Sequence, residues 1–518
     1  MKMNIPKRIL LILLILTVFT LTSCRSTGPE SANGISDLSS LDILDGMDIG
    51  VCTGMITDKL VEKRLPNSRI MYFTNISDAV AAIKTGKIAA YPDDEPILGL
   101  CMAENPELTT MEEYLDATDF GAIFPKTEKG AQVRDKFNDW LKAFIADGEL
   151  DKLKAKWISG PESEKIMPDY KFTPSSKGRF VVATTGQIAP MNYVKDNSIV
   201  GIDAEIAARF CMAEGYELEI IPMAFDAVIP YVQSGKGDMG ITAISITAER
   251  AESVYFSDPY YHSELKMLVL SNASAGKDIL TGVIESFEKT FIKENRWILF
   301  AEGLKNTMIM TVLSIIFGTV LGFAVFMLCR KGNKALNKVF AFCTWLIQGM
   351  PMVVLLMVLF YIVFASFNIA ELYVAVIGFT LTFGAAVFSM LKTGIGAIDR
   401  GQYEAAYTLG YSDTKAFFRF IFPQALPLIL PSYKSEIVGL IKATAIVGYI
   451  AVQDLTKMGD VVRSRTYEPF FSLIFLSILY FIIEGLVAYA VSKIAINLDP
   501  KRRKRDSVLK GVKTDDQN

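Results

Sequence analysis

The chain has 518 residues, a mean hydropathy of +0.32 and a formal charge of −3 from 53 Lys+Arg and 56 Asp+Glu. That sum hides two unlike parts: residues 25–290 carry 41 acidic against 26 basic side chains, and residues 291–518 carry 15 against 24. The length allows two or three domains. Basic residues that flank apolar runs argue against a nucleic-acid surface, and a single histidine without Cys-x-x-Cys spacing argues against a zinc site.

In chain order, Lys2, Lys7 and Arg8 precede an apolar run from Ile9 to Leu21, followed by Thr22-Ser23-Cys24. A basic segment, a short apolar run and small residues before a cut site predict an export signal over 1–24. Leu21-Thr22-Ser23-Cys24 resembles the bacterial lipobox, which implies lipidation at Cys24; an uncleaved signal anchor is the alternative. Either way the acidic part, entered through a linker at 25–40, is expected outside the cytoplasm. Cys52, Cys101, Cys211, Cys329 and Cys343 read as thiols, with a disulfide among the first three left open.

Residues 41–272 alternate short β-like runs with amphipathic helical stretches, an α/β pattern. The early runs are Asp48-Ile49-Gly50-Val51-Cys52-Thr53-Gly54 and Thr85-Gly86-Lys87-Ile88-Ala89-Ala90-Tyr91-Pro92-Asp93-Asp94-Glu95, then a helical stretch from Asp147 to Trp157. Beyond a proline-containing polar linker at 159–177 come Arg179-Phe180-Val181-Val182-Ala183-Thr184-Thr185, and Val200-Gly201-Ile202-Asp203-Ala204-Glu205, where Asp203 is a plausible helix cap. Gly235-Lys236-Gly237-Asp238, Ile246-Thr247-Ala248-Glu249-Arg250 and Phe256-Ser257-Asp258-Pro259-Tyr260-Tyr261 complete the set.

In that order the later runs resemble the first lobe of a family-3 solute-binding protein, and the earlier runs resemble its second lobe. The implied fold is an α/β two-lobed periplasmic-binding-protein type II domain, circularly permuted, with lobe two at 41–117, a return to lobe one at 118–158 and lobe one at 178–272. Natural termini that lie close together make such a permutation feasible. Two incomplete modules completed by exchange between protomers are the alternative. The reversed order is expected to leave one of the two hinge crossings covalent.

The resemblance also assigns ligand groups. Arg250 would clamp a carboxylate, which its planar fork suits better than a lysine would. Ser245 and the backbone near Ala243 would add neighbouring bonds, and Asp94 would hold an α-ammonium. Phe225 and Ile188 would cover an apolar stem, and the amides near Gly54 would serve from lobe two. A zwitterion taken out of water needs both charges matched. Thr185 stands where many relatives have Asp, and Met55 and Ile56 where many have Thr or Ser, so specificity is open; an uncharged polar amino acid such as glutamine is the expectation. His262 is the general acid–base candidate for an enzyme reading, with a surface or packing role as the alternative.

A linker at 273–300 leads into an all-α membrane domain at 301–495 and a basic tail at 496–518. Apolar runs fall at 304–328, 340–367, 372–391, 433–453 and 469–493, each near the roughly 20 residues that cross a bilayer. Arg330, Lys331, Lys334 and Lys338 follow the first, Lys392 and Arg400 the third, and the 501–505 cluster the fifth. Basic joints stay cytoplasmic, which places the acidic domain outside. Lys442 and Glu484 fall inside spans, where a charge faces a protein interior or a water path, or snorkels.

Between the third and fourth spans stand Gly401-Gln402-Tyr403-Glu404-Ala405-Ala406-Tyr407-Thr408-Leu409-Gly410 and then Phe420-Ile421-Phe422-Pro423-Gln424-Ala425. This resembles the EAA loop of ABC importer permeases, the element that docks into the ATPase. Gly303-Leu304-Lys305-Asn306-Thr307 and Lys442-Ala443-Thr444-Ala445 are similar to motifs of polar-amino-acid permeases, although Gln348-Gly349-Met350-Pro351 replaces their usual Arg-Gly-Thr-Pro, and Phe420 and Phe422 replace aliphatic residues. The resemblance implies that Glu404, Ala405, Ala406 and Gly410 couple to a separate ATPase subunit, since the chain has no G-x-x-x-x-G-K-[ST] loop. It further implies a permease homodimer or heterodimer in the bacterial cytoplasmic membrane, an amino-acid ligand, no cofactor and no enzyme activity. An amino-acid-sensing receptor built on the same ectodomain is the rival.

Overall fold

A computed structural model describes residues 35–168, 177–271 and 279–498, apart from 331, 333, 366 and 368. Cys24 with the export signal, and the 501–505 cluster, lie outside the described residues. The chain divides into two units: Met1–Thr118 with Ser263–Asp278, and Asp119–His262 with Ile279–Asn518.

The strands in chain order are β1 (Asp48–Cys52), β2 (Arg69–Phe73), β3 (Ala90–Asp94), β4 (Leu108–Phe120), β5 (Ile123–Pro125), β6 (Arg179–Thr184) and β7 (Gln187–Ile188). There follow β8 (Asn192–Lys195), β9 (Ser198–Val200), β10 (Glu217–Pro222), β11 (Met239–Gly240), β12 (Val254–Phe256) and β13 (Tyr261–Leu270). One sheet runs β2-β1-β3-β13-β4 and the other β10-β6-β11-β5-β12, with a small β7-β8-β9 meander beside the second. Each five-stranded sheet has three parallel strands and then an antiparallel neighbour. β3 is buried at every residue, as expected of a strand covered on both faces.

The strand pairing corrects two expectations. The chain enters the second unit after Thr118 and returns to the first at Ser263, so both crossings are covalent rather than one. β13, expected in lobe one as part of 178–272, pairs instead with β3 from Leu265 opposite Asp94 to Val269 opposite Ala90. The cause is visible in its pattern: Ser263, Leu265 and Met267 are buried on alternate positions, and a half-buried strand needs a sheet edge to join.

In the membrane part, Trp297–Arg330, Glu371–Gly396 and Pro469–Lys493 are each long and apolar enough to cross a bilayer. Two bent pairs, Lys334–Gly349 with Met352–Val363 (108°) and Asp413–Ile450 with Leu455–Thr466 (58°), bring the number to five if each pair is one span. The second and fourth apolar runs are therefore broken where straight spans were expected. Pro351 lacks an N–H and disfavours helix at the residue before it. In the fourth, Ala451 turns left-handed (φ 63°), and Asp454 restarts the helix by accepting from the Thr456 and Lys457 amides, both at 3.0 Å. The first span packs on the third through small residues: a Cβ on Gly322 would stand 2.4 Å from the Gly384 carbonyl oxygen, so only glycine permits this approach.

In the second unit an apolar cluster runs from the α/β part into the membrane part. Met223, Ala227, Val228 and Tyr231 of the α/β part share it with Phe360, Leu455 and Met458 of the membrane part.

Candidate functional site

The second unit builds its site around a buried carboxylate. Asp203 is fully buried; its Oδ1 accepts from Tyr260 OH (2.7 Å) and its Oδ2 from Asn192 Nδ2 (2.8 Å) and the Ala243 amide (3.0 Å). Burial pushes its carboxyl up to about 6, and these three donors oppose the rise. Asp203 is thus not a helix cap: Gly201 holds that position, and Asp203 points into the lobe. Its hold on Ala243, a non-glycine residue at φ 49°, fixes the loop that leads to Ser245.

From that loop the chain reaches Arg250. Thr247 caps the short helix Ala248–Ala251 by accepting from the Arg250 amide, and the Arg250 side chain folds back so that Nη1 donates to the Ser245 carbonyl at 3.1 Å. Its guanidinium lies 5.7 Å over the Phe225 ring, the first residue of helix Phe225–Gln233. Burial holds the guanidinium pKa below its usual value. A half-buried, planar cation beside an aromatic face suits a carboxylate. The structure therefore gathers Arg250, Phe225 and Ser245, while Ile188 lies half-buried on β7. Thr185 is engaged elsewhere: its hydroxyl donates to Asn192 Oδ1 (2.6 Å) and contacts Thr242 Oγ1 (3.0 Å). The Ala243 amide is likewise taken by Asp203. Exposed His262 contacts Asp119 Oδ1 through Nδ1 at 2.8 Å.

The first unit holds Asp94 and Gly54. Asp94 ends β3 at the carboxyl edge of its sheet and is buried, with Oδ1 lacking a hydrogen-bond partner. Burial and the neighbouring Asp93 hold its carboxyl well above the ordinary range. Ser263 and Thr118 hydroxyls lie near enough to ease this, although neither oxygen meets hydrogen-bond geometry. An unpaired buried carboxylate oxygen is costly unless a donor arrives, and an ammonium is such a donor. Asp93 orients it, accepting the Asp94 amide at 2.9 Å and Tyr91 OH at 2.8 Å. Gly54 stands just after β1 at φ 83°.

The remaining candidates lie in the membrane part. Helix Gly401–Thr408 carries exposed Glu404 and Ala405, buries Ala406 and turns at Gly410 (φ 80°) into helix Asp413–Ala416. Arg330, at the end of the first span, anchors this corner through Asp413 Oδ1 at 2.7 Å and stacks over Phe417 at 4.3 Å. Lys442 and Glu484 pair at 3.5 Å between the fourth and fifth apolar runs.

Sequence motifs did not reveal Asn192, Tyr260 and the Ala243 amide as the partners of Asp203, nor the helix Leu455–Thr466. The first three lie far apart in the chain and share no motif. The helix was hidden by its polar composition at the foot of an apolar run.

Two family models match this chain. That of the bacterial extracellular solute-binding proteins, family 3, covers residues 180–348, and that of the binding-protein-dependent transport system inner membrane component covers residues 306–501. The "Putative glutamine transport system permease protein" of Rickettsia bellii is 33% identical over 204 residues, 38% of this chain and 92% of that protein. The arginine transport system permease protein of Bacillus subtilis is 31% identical over 191 residues, 36% of this chain and 87% of that protein. A crystal structure of an amino acid ABC transporter with histidines aligns at 28% identity and a TM-score of 0.36, covering 42% of this chain and 98% of that one. Fold and matches together define a multi-pass membrane transport protein with a solute-binding domain on the same chain. It belongs to the binding-protein-dependent transport system inner membrane components.

Proposed function

We propose that this chain imports a polar amino acid, capturing it outside the cell with its own binding domain and passing it through its own permease. The observation that carries this reading is the coexistence, on one chain, of a permease similar to glutamine and arginine transport proteins with a half-buried Arg250 on an aromatic face. Arg250 takes the carboxylate and Asp94 the ammonium; Phe225 and Ile188 cover the side chain, for which glutamine is the first candidate. The binding domain is a circular permutation of its family's order, closed by the 159–177 linker. A separate ATPase grips exposed Glu404 and Ala405, and two permeases pair to form the pathway.

The test is uptake of labelled L-glutamine into proteoliposomes that contain the chain and its ATPase. ATP-dependent accumulation is expected, with Glu404→Lys reducing it at least tenfold while glutamine binding persists. Accumulation without ATP, or unchanged in Glu404→Lys, contradicts the coupling assignment.

A further inference from the structure

Within the second unit, the α/β part and the permease meet through a built interface. Gln453 Nε2 donates to the Pro222 carbonyl at 2.6 Å, and Lys457 Nζ donates to the Met223 carbonyl at 3.3 Å. Lys457 is almost fully buried there, within reach of the charges of Asp226, Asp454 and Asp460. A buried ammonium needs such partners, and two of them, the Met223 carbonyl and Asp226, come from the binding lobe. Around this centre Tyr231 stacks on Phe360 with ring centroids 6.0 Å apart, and Lys236 lies 4.3 Å over the same ring and donates to the Phe364 carbonyl at 3.1 Å. At the rim Asn197 Nδ2 donates to Glu302 Oε1 at 3.0 Å, and Arg465 lies 4.6 Å over Tyr193. The permease supplies these groups from the start of its first span, the bent limb of its second and the break in its fourth.

We infer that lobe one is docked in cis, on the permease of its own chain, in the resting transporter. The apolar core runs from the lobe into the permease through this interface. The contact also touches the proposed ligand site: Phe225, under Arg250, stands two residues beyond Met223 and opens the helix that carries Tyr231. Occupancy at Arg250 is thereby felt at Phe360 and Lys457. The coupling rests on the function proposed above; the docking does not.

The test is cysteine cross-linking of Asn197→Cys with Glu302→Cys, both exposed, in a Cys343→Ser background, with a protease site inserted in 272–278. After treatment with a short bismaleimide and cutting, the double variant should hold its two fragments together at least tenfold above either single variant. Co-expression of the two single variants on differently tagged chains should give no cross-linked dimer. A dimer in that mixture, or separated fragments from the double variant, overturns cis docking. Lys236→Cys with Phe364→Cys repeats the test if the first pair fails to fold. No ligand or ATPase is needed, so this outcome is separate from that of the uptake experiment.

Discussion

Asp203 organises the lobe-one half-site because three donors from three elements converge on one carboxylate that sees no water. Its raised pKa makes a signed prediction. A carboxyl shifted from 3.8 to about 6 stabilises the fold most below pH 4 and loses that contribution as pH rises through about 6. The stability of the native chain minus that of Asp203→Asn should fall by about 2 kcal/mol between pH 4 and pH 7. Denaturant unfolding of the full chain, followed through the fluorescence of Trp140 and Trp157, measures this; a pH-independent difference would refute the role. Arg250 could be read from sequence because it closes a local run, Ile246 to Arg250. Asp203 was misread because its place at a helix start suggests a cap, whereas its partners come from distant parts of the chain.

At the scale of elements, glycines decide how the first span meets the third. A side chain on Gly322 would strike the Gly384 carbonyl and the Val387 Cβ, at 2.4 and 2.7 Å, and backbone cannot move aside as a flexible side-chain tip can. Gly322→Leu should abolish monodisperse protein on gel filtration, while Gly485→Leu, with open space around it, should leave the profile unchanged. Equal profiles for the two would remove the packing argument. The apolar runs themselves were legible, since length and hydropathy suffice to find them. The breaks were less so. Pro351 is visible in the sequence, but a proline within a run does not state an angle, and the 108° bend depends on what each limb packs against.

For the molecule as a whole, the α/β character of the binding part was legible because its short β-like runs alternate with helical stretches. The connectivity was not. Which strand crosses back depends on β13 finding the buried flank of β3, a contact between segments about 170 residues apart that no local pattern encodes. The chain passes to the second unit after Thr118 and returns to the first at Ser263. Arg250 and Asp94 could be nominated from residue type, each in its own unit, and their role as ligand groups belongs to the proposal.

The central claim is that this permease carries its own amino-acid receptor, with Arg250 as the carboxylate anchor. Isothermal titration of the full chain in nanodiscs against the twenty amino acids tests it most directly. A polar amino acid should bind saturably, and Arg250→Ala should weaken it at least thirtyfold, about 2 kcal/mol for a charge-assisted pair. Silence from all twenty, or an unchanged affinity in Arg250→Ala, would contradict it.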